Sequence, residues 1–242
     1  TSPQANANED ISFGVSPSLD YVFYREFSET GDTLNTETGL LPGLQLSLNT
    51  DISNKFSVYT HVYYGASTIQ YDGQLQNGEP YKTDSKMKKT HFQFGLNTSF
   101  DQHAVGVFLS RDKWDRHILS RNNVAQLSES YAWDSLGLKY CFDAGDQKIE
   151  TKIAHLFNAG LDVDLTEQGY GVIHAAMPEG TAASITTSFD LNEYMPGWWM
   201  STRLAGHYFP RGKATITQGI GITEPENVTV QLGVSLDYRF NL

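Results

Sequence analysis

The stretch NVTVQLGVSLDYRFNL, residues 227–242, alternates apolar and polar side chains without a break. One set comprises Val228, Val230, Leu232, Val234, Leu236, Tyr238, Phe240 and Leu242, and the other comprises Thr229, Gln231, Gly233, Ser235, Asp237, Arg239 and Asn241. Because successive side chains of a β-strand point to opposite faces, the pattern predicts one strand with an apolar wall and a polar wall. The run exceeds the roughly 9–11 residues with which a tilted strand crosses a bilayer.

The same alternation recurs along the chain, whereas no useful length of sequence shows helical periodicity. Ten strands are predicted, at residues 11–23, 41–52, 56–68, 91–100, 103–110, 134–142, 148–165, 182–191, 198–209 and 227–242. Five long and four short connections alternate between them, which places all long connections at one end of an up-and-down meander. Bacterial outer-membrane barrels have this arrangement, with long outer loops and short periplasmic turns.

The predicted fold class is therefore all-β. It is a ten-stranded antiparallel up-and-down transmembrane β-barrel with five long extracellular loops and four short periplasmic turns. Residues 11–242 form this single domain. The small, polar residues 1–10 are interpreted as a flexible mature N-terminus left after signal-peptide removal.

Three features favour lipid on the outside over a soluble barrel with the same alternation reversed. Aromatic residues of the apolar face cluster near both strand ends, as two membrane interfaces require. The opposite face is too polar for a dry core, and the apolar face lacks charge in mid-strand. A secreted soluble sandwich is the alternative.

Composition limits the partners. The formal net charge of -11 argues against a nucleic-acid partner, because phosphate binding needs clustered Lys and Arg. The single Cys141 cannot form an intrachain disulfide. No metal-ligand spacing or cofactor motif occurs, so no cofactor and no metal are expected.

The segment QLGVSLDYRF resembles the C-terminal assembly signal of outer-membrane proteins of Gram-negative bacteria. The matching positions are Gln231, Gly233, Leu236, Tyr238 and Phe240, although the chain continues past the usual terminal Phe to Leu242. The resemblance implies that the barrel-assembly machinery reads this strand. It also implies an outer-membrane location among lipid and lipopolysaccharide, with both termini in the periplasm.

Charged residues of the polar face gather near the short turns and alternate in sign between neighbouring strands. We expect Lys139 beside Glu150, Lys152 beside Asp190, and Arg203 beside Asp237. A hydrogen-bonded charge plug in the periplasmic half of the lumen is thus predicted, with a solute-selecting constriction as the alternative. Its members are Lys139, Glu150, Lys152, Asp190, Arg203, Asp237 and Arg239.

A second set of polar-face residues is predicted to surround the extracellular mouth of the lumen. Acidic and imidazole side chains there could bind a cation, a sugar or a basic peptide. The alternative is a wet vestibule that hydrogen-bonds to the loops. The set comprises Asp20, Tyr63, His91, Asp162, Asp164 and His207.

Three functions remain open from the sequence. The leading hypothesis is a non-enzymatic barrel whose long loops bind a ligand, adhere or dock a partner. A small porin-like channel for solutes is second. A hydrolase is third: the omptin proteases resemble this chain in strand count, but the Asp162–Asp164 and Asp115–His117 pairs do not face one another, and no Ser–His pair stands out for a lipid-modifying enzyme.

Overall fold

The computed structural model describes residues 11–75, 78–122, 124–217 and 220–241. The predicted flexible segment 1–10 and Leu242 lie outside the described residues. Thirteen strands occur within the described part of the chain. They are β1 (Ile11–Phe27), β2 (Thr33–Asp51), β3 (Phe56–Gln74), β4 (Pro80–Phe100), β5 (His103–Ile118), β6 (Leu127–Asp143), β7 (Gln147–Leu165), β8 (Gly171–Ala176), β9 (Gly180–Asp190), β10 (Trp198–Phe209), β11 (Thr215–Thr217), β12 (Ile220–Ile222) and β13 (Glu226–Asn241).

The sheet closes on itself. Consecutive strands pair antiparallel from β1 to β7, and β9, β10 and β13 continue the meander until β13 pairs with β1. Both β8 and β9 pair with β7. β9 pairs with the first half of β7 and β8 with its last residues, so β8 and β9 together occupy the place of one strand in the barrel wall. The short β11–β12 hairpin stands apart from this sheet. The described residues thus form a closed ten-stranded antiparallel barrel, which confirms the predicted fold class.

The strands extend well into segments that the sequence analysis assigned to long loops. β3 and β4 pair as far as Gln74 and Pro80, so only residues 75–79 connect them. Alternation continues in these extensions, but Lys86 and Lys88 take the outward positions that apolar residues hold lower in the strand. Where the outward side chains are charged, the two faces of a strand no longer differ in hydropathy, so the sequence pattern does not reveal the strand.

A band of exposed apolar side chains encircles the outer wall, as predicted. Monomeric soluble proteins rarely expose contiguous apolar patches of this extent. Exposed aromatic rings lie at both edges: Phe56, Phe100, Tyr140, Phe189, Tyr238 and Phe240 toward the short turns, and Tyr21, Tyr64, Phe92 and Tyr208 toward the other end. We take as membrane-spanning the segments 13–23, 40–48, 56–64, 92–100, 105–109, 136–142, 149–157, 181–189, 198–208 and 230–240.

Beyond this band, at the end opposite the short turns, the barrel wall continues as an outer projection. Its outward side chains include Lys86, Lys88, Arg111, Lys113 and Asp134, which would be costly in hydrocarbon. The projection therefore lies in water or among headgroups. Among the described residues, no helix is long and apolar enough to cross a membrane.

Candidate functional site

A packed apolar core fills the lumen between the middle of the barrel and the outer projection. Nine positions around the wall each contribute one side chain to this core, and each of these residues is at most 5% exposed. Thr229 of β13, at the tenth position, is also fully buried. These side chains are Val22, Leu41, Ile69, Met87, Trp114, Trp133, Leu156, Ala175 and Phe209. Because they come from all around the barrel, they close its cross-section. We call this layer the lumen closure.

Arg116 on β5 lies on the outer side of the lumen closure, and its side chain is 0% exposed. Its guanidinium donates to Glu37 from Nε and Nη2 at 2.9 and 2.5 Å, and to Glu26 from Nη1 at 2.9 Å. Glu129 lies 3.1 Å from Nη1. A fourth carboxylate, Glu224, accepts a hydrogen bond from Asn227 at 2.8 Å beside them.

Two tyrosines complete this group, which we call the Arg116 cluster. The Tyr24 and Tyr131 hydroxyls accept from Arg116 Nη1 at 3.0 and 2.9 Å. Tyr24 donates in turn to Glu26 at 2.5 Å. Each of the three guanidinium nitrogens thus has at least one acceptor, which offsets the cost of burying so polar a group.

The Arg116 cluster holds four carboxyl groups around one cation, in a part of the barrel beyond the membrane-spanning segments. Burial raises the pKa of Glu129 to about 7, although Arg116 acts in the opposite direction. Burial also raises the pKa of Glu37 and of Glu224, against the same opposing effect of Arg116. The cluster therefore favours protonated carboxyl groups at pH values where an exposed glutamate is ionised.

On the other side of the lumen closure, the barrel contains a cavity of about 530 Å³. Turn residues such as Asp101 and Gln102 line one end, so the cavity opens at the short-turn end, while Trp133 and His207 line its inner end. One wall, formed by β1, β9, β10 and β13, is built from small side chains. These include Gly14, Ser16, Ser18, Ser184, Ser188, Ser201 and Ser235. The small residues leave the space that larger side chains fill on the opposite wall.

Four of the six predicted mouth residues line this cavity: Asp20, Tyr63, His91 and His207. Asp20 accepts from Tyr63 at 3.0 Å, and His91 Nδ1 lies 2.9 Å from Asp112. The ring centroid of His207 is 5.1 Å from that of Trp133. Their predicted position at the extracellular mouth is wrong, because the lumen closure lies between them and the outer end.

Asp162 and Asp164 do not face the lumen, contrary to the prediction. Both side chains are exposed on the outer wall, and Asp162 pairs with His174 at 2.5 Å. The cause is a register shift between β6 and β7, where Asn158 adopts a positive φ of 49° and inverts the alternation.

The predicted charge plug is a charged wall rather than a plug, and one of its three pairs forms. Lys139 Nζ lies 3.6 Å from Glu150. Lys152 pairs instead with Glu150 at 2.9 Å, while Asp190 accepts from Asn192 at 2.9 Å. The fact that two strands are adjacent does not determine which of their inward side chains make contact, because the strands of a barrel are staggered relative to one another.

Arg203 and Asp237 are also not partners. Arg203 Nη2 donates to Asp20 at 2.8 Å, and Asp237 accepts from Ser201 and Ser235. Arg239 lines the mouth of the cavity, with its guanidinium 4.8 Å from the centroid of the Trp199 ring.

The five residues of the C-terminal motif divide between the two faces of β13. Leu236, Tyr238 and Phe240 are exposed on the apolar band, whereas Gln231 and Gly233 face the lumen. A side chain at Gly233 would collide with the carboxylate of Asp20. The role of the motif in assembly stays a prediction.

One Ser–His pair that the sequence did not single out forms on the outer wall: His117 Nδ1 lies 2.5 Å from Ser128 Oγ, and Nε2 of the same ring lies 3.0 Å from Gln126 Oε1. Asp115 and His117 lie on the outer wall, where they contact Ser130 and Ser128 of β6. β6 separates them from Asp162 and Asp164 on β7. No group of three or more His, Cys, Asp or Glu side chains in the described part of the chain is arranged to hold a metal ion.

Comparison with known proteins supports the fold alone. No protein-family model matches the sequence, and no curated protein is significantly similar to it. The structure is similar to the outer membrane protease OmpT from Escherichia coli, with a TM-score of 0.56 and 7% identity over 99% of both chains. It is also similar to the translocator domain of the autotransporter NalP from Neisseria meningitidis, with a TM-score of 0.51 and 11% identity over 95% of this chain and 88% of that one. The chain has the fold of bacterial outer-membrane β-barrels.

Proposed function

We propose that this protein is an integral outer-membrane barrel that acts by binding a ligand or partner and does not conduct solutes. The observation that carries the proposal is the lumen closure. Trp114, Trp133 and Phe209 are each at most 3% exposed in the middle of the barrel, and the buried Arg116 cluster lies directly beyond them. A solute would have to displace both layers to cross.

The outer wall supports placement in an outer membrane with the outer projection outside the cell. Lys86 and Lys88 of β4 and Lys113 of β5 point outward just beyond the apolar band. Cations at this height suit the phosphate groups of lipid headgroups and lipopolysaccharide. In this placement the short-turn end, with the start of β1 and the end of β13, faces the periplasm.

The outer projection is the surface that we propose for partner binding. Paired strands hold it rigid as far as the β3–β4 hairpin, and its rim carries residues 210–217 and 220–225, which include β11 and β12. Ile216 of that hairpin is 75% exposed outside the apolar band. Surface segments on a rigid scaffold are common sites of recognition.

Osmotic swelling of proteoliposomes tests the absence of conduction. Liposomes that contain the protein should swell in small sugars no faster than protein-free liposomes. The variant with both Trp114→Ala and Trp133→Ala removes two large rings from the lumen closure and should swell faster, provided that gels show it folded. Rapid swelling with the unaltered protein would reject the proposal and favour a small-solute channel.

A further inference from the structure

Lys89 of β4 is a buried cation that forms no close ion pair among the described residues. Its side chain lines the inner end of the cavity, and the residue is only 9% exposed. Among the described residues, its ammonium makes no ion pair within 4 Å and no hydrogen bond. It lies 6.0 Å from the centroid of the Trp114 ring, and Asp112 is the carboxylate that attracts it most. Removing an ammonium group from water is costly unless an acceptor replaces the water.

Arg203 supplies a second cation to the same inner end. One of its terminal nitrogens donates to Asp20, but its side chain stays 35% exposed and the residue lines the cavity. Asp112 attracts the Lys89 ammonium more strongly than Arg203 repels it, but the repulsion from Arg203 adds to the cost of burying this cation. An anion placed between them would relieve that repulsion.

The nearest carboxylates are already engaged. Asp20 accepts from both Arg203 and Tyr63, and Asp112 is held by His91 at 2.9 Å, with Ser110 at 3.5 Å. The Lys89 ammonium keeps its donors free of acceptors among the described residues, and only Nη2 of Arg203 has an assigned acceptor. Donors of this kind recognise carboxylate and phosphate oxygens.

The cavity has room for such a ligand and an entrance for it. Its volume of about 530 Å³ lies within the roughly 300–1,000 Å³ of small-molecule sites. The small side chains of β1, β9, β10 and β13 leave a path from the short turns to Lys89, so a ligand would enter from that end.

We propose that the inner end of the cavity binds the carboxylate or phosphate group of a small organic anion between Lys89 and Arg203. This inference goes beyond the proposed function, because a non-conducting barrel would not require an occupied cavity. The two proposals can also fail separately, since swelling reports on the lumen closure and anion binding reports on the cavity.

Isothermal titration of the purified protein in a neutral detergent tests the proposal, with succinate and inorganic phosphate as separate probes. At least one probe should bind with 1:1 stoichiometry, and the neutral diamide of succinate should not. The probe that binds more tightly, succinate or phosphate, shows whether the site prefers a carboxylate or a phosphate group. Failure of both anions to bind at about 10 mM, or equal binding of the diamide, would overturn the proposal.

Variants on one strand locate the binding. Lys89→Met keeps the aliphatic stem and should weaken binding at least tenfold, whereas Lys89→Arg should restore most of it. Lys88→Met is the matched control, because Lys88 neighbours Lys89 on β4 but points to the outer wall. Equal weakening by Lys88→Met, or unchanged binding by a folded Lys89→Met protein, would contradict the assigned site.

Discussion

Arg116 and Glu37 form an ion pair across the lumen of the barrel, with Nη2 and Oε1 2.5 Å apart and both side chains 0% exposed. The two residues lie on β5 and β2, which β3 and β4 separate in the sheet. The pair therefore connects strands that share no backbone hydrogen bonds. It covers the outer side of the lumen closure.

Replacing Arg116 by Met should lower the free energy of unfolding by about 3–5 kcal/mol, because the carboxylates would stay buried without their cation. Urea unfolding in detergent, followed by tryptophan fluorescence, measures the loss. Arg111→Met is the matched control: Arg111 is also on β5, but it pairs with Asp134 on the outer wall at 54% exposure. That change should cost about 0–1 kcal/mol. Equal losses from both substitutions would show that the buried network does not stabilise the barrel.

The Arg116 cluster also predicts a direction for the pH dependence of stability. Burial raises the pKa of Glu129 from 4.5 to about 7, so the folded protein holds this proton more tightly than the unfolded chain does. The resulting stabilisation is complete below about pH 4.5 and is lost as the pH rises through about 7. We expect the urea midpoint to fall between these pH values.

Glu129→Gln should reduce this pH dependence, because the amide does not titrate, while the raised pKa values of Glu37 and Glu224 leave a smaller dependence of the same sign. Glu179→Gln, at an exposed carboxylate that pairs with His155, should leave it unchanged. A midpoint that rises over the same range in the unaltered protein would contradict the assignment of Glu129.

Two positions on one strand test the limits of the apolar band. Val62 and Thr68 both point outward from β3 and are exposed, but Val62 lies within the band and Thr68 beyond it. Val62→Arg should destabilise the membrane-inserted barrel, although by less than the roughly 2–4 kcal/mol that a cation costs at mid-bilayer, because Val62 pairs with Phe92 near the outer edge of the band. Thr68→Arg should change stability far less. Folding into lipid vesicles at a series of urea concentrations measures both, and similar costs would show that the band is placed wrongly.

Alternation predicted the barrel, its strand number and the face that each spanning segment turns outward. The period of two is a direct consequence of strand geometry, and a lipid-facing wall makes it visible as hydropathy. The alternation continues beyond the predicted strand ends. In RDKWDRHI, residues 111–118, the inward set Asp112, Trp114, Arg116 and Ile118 still alternates with an outward set, but charges on the outside hid the pattern.

The lumen could not be predicted to the same extent. The Arg116 cluster joins β1, β2, β5, β6 and the segment before β13, and their meeting depends on the stagger of the barrel rather than on neighbourhood in sequence. The inversion that turns Asp162 outward rests on a single residue, Asn158. Asn tolerates positive φ better than most residues, so it was a weak signal in a run that otherwise alternates.

Single-channel recording in a planar bilayer tests the closed lumen most directly. Purified protein whose band shifts on heating, and which has therefore inserted folded, should give no steady conductance steps at either polarity. Regular steps of one size from the unaltered protein would show that the layer formed by Trp114, Trp133 and Phe209 does not close the barrel, and the binding function proposed for it would give way to transport.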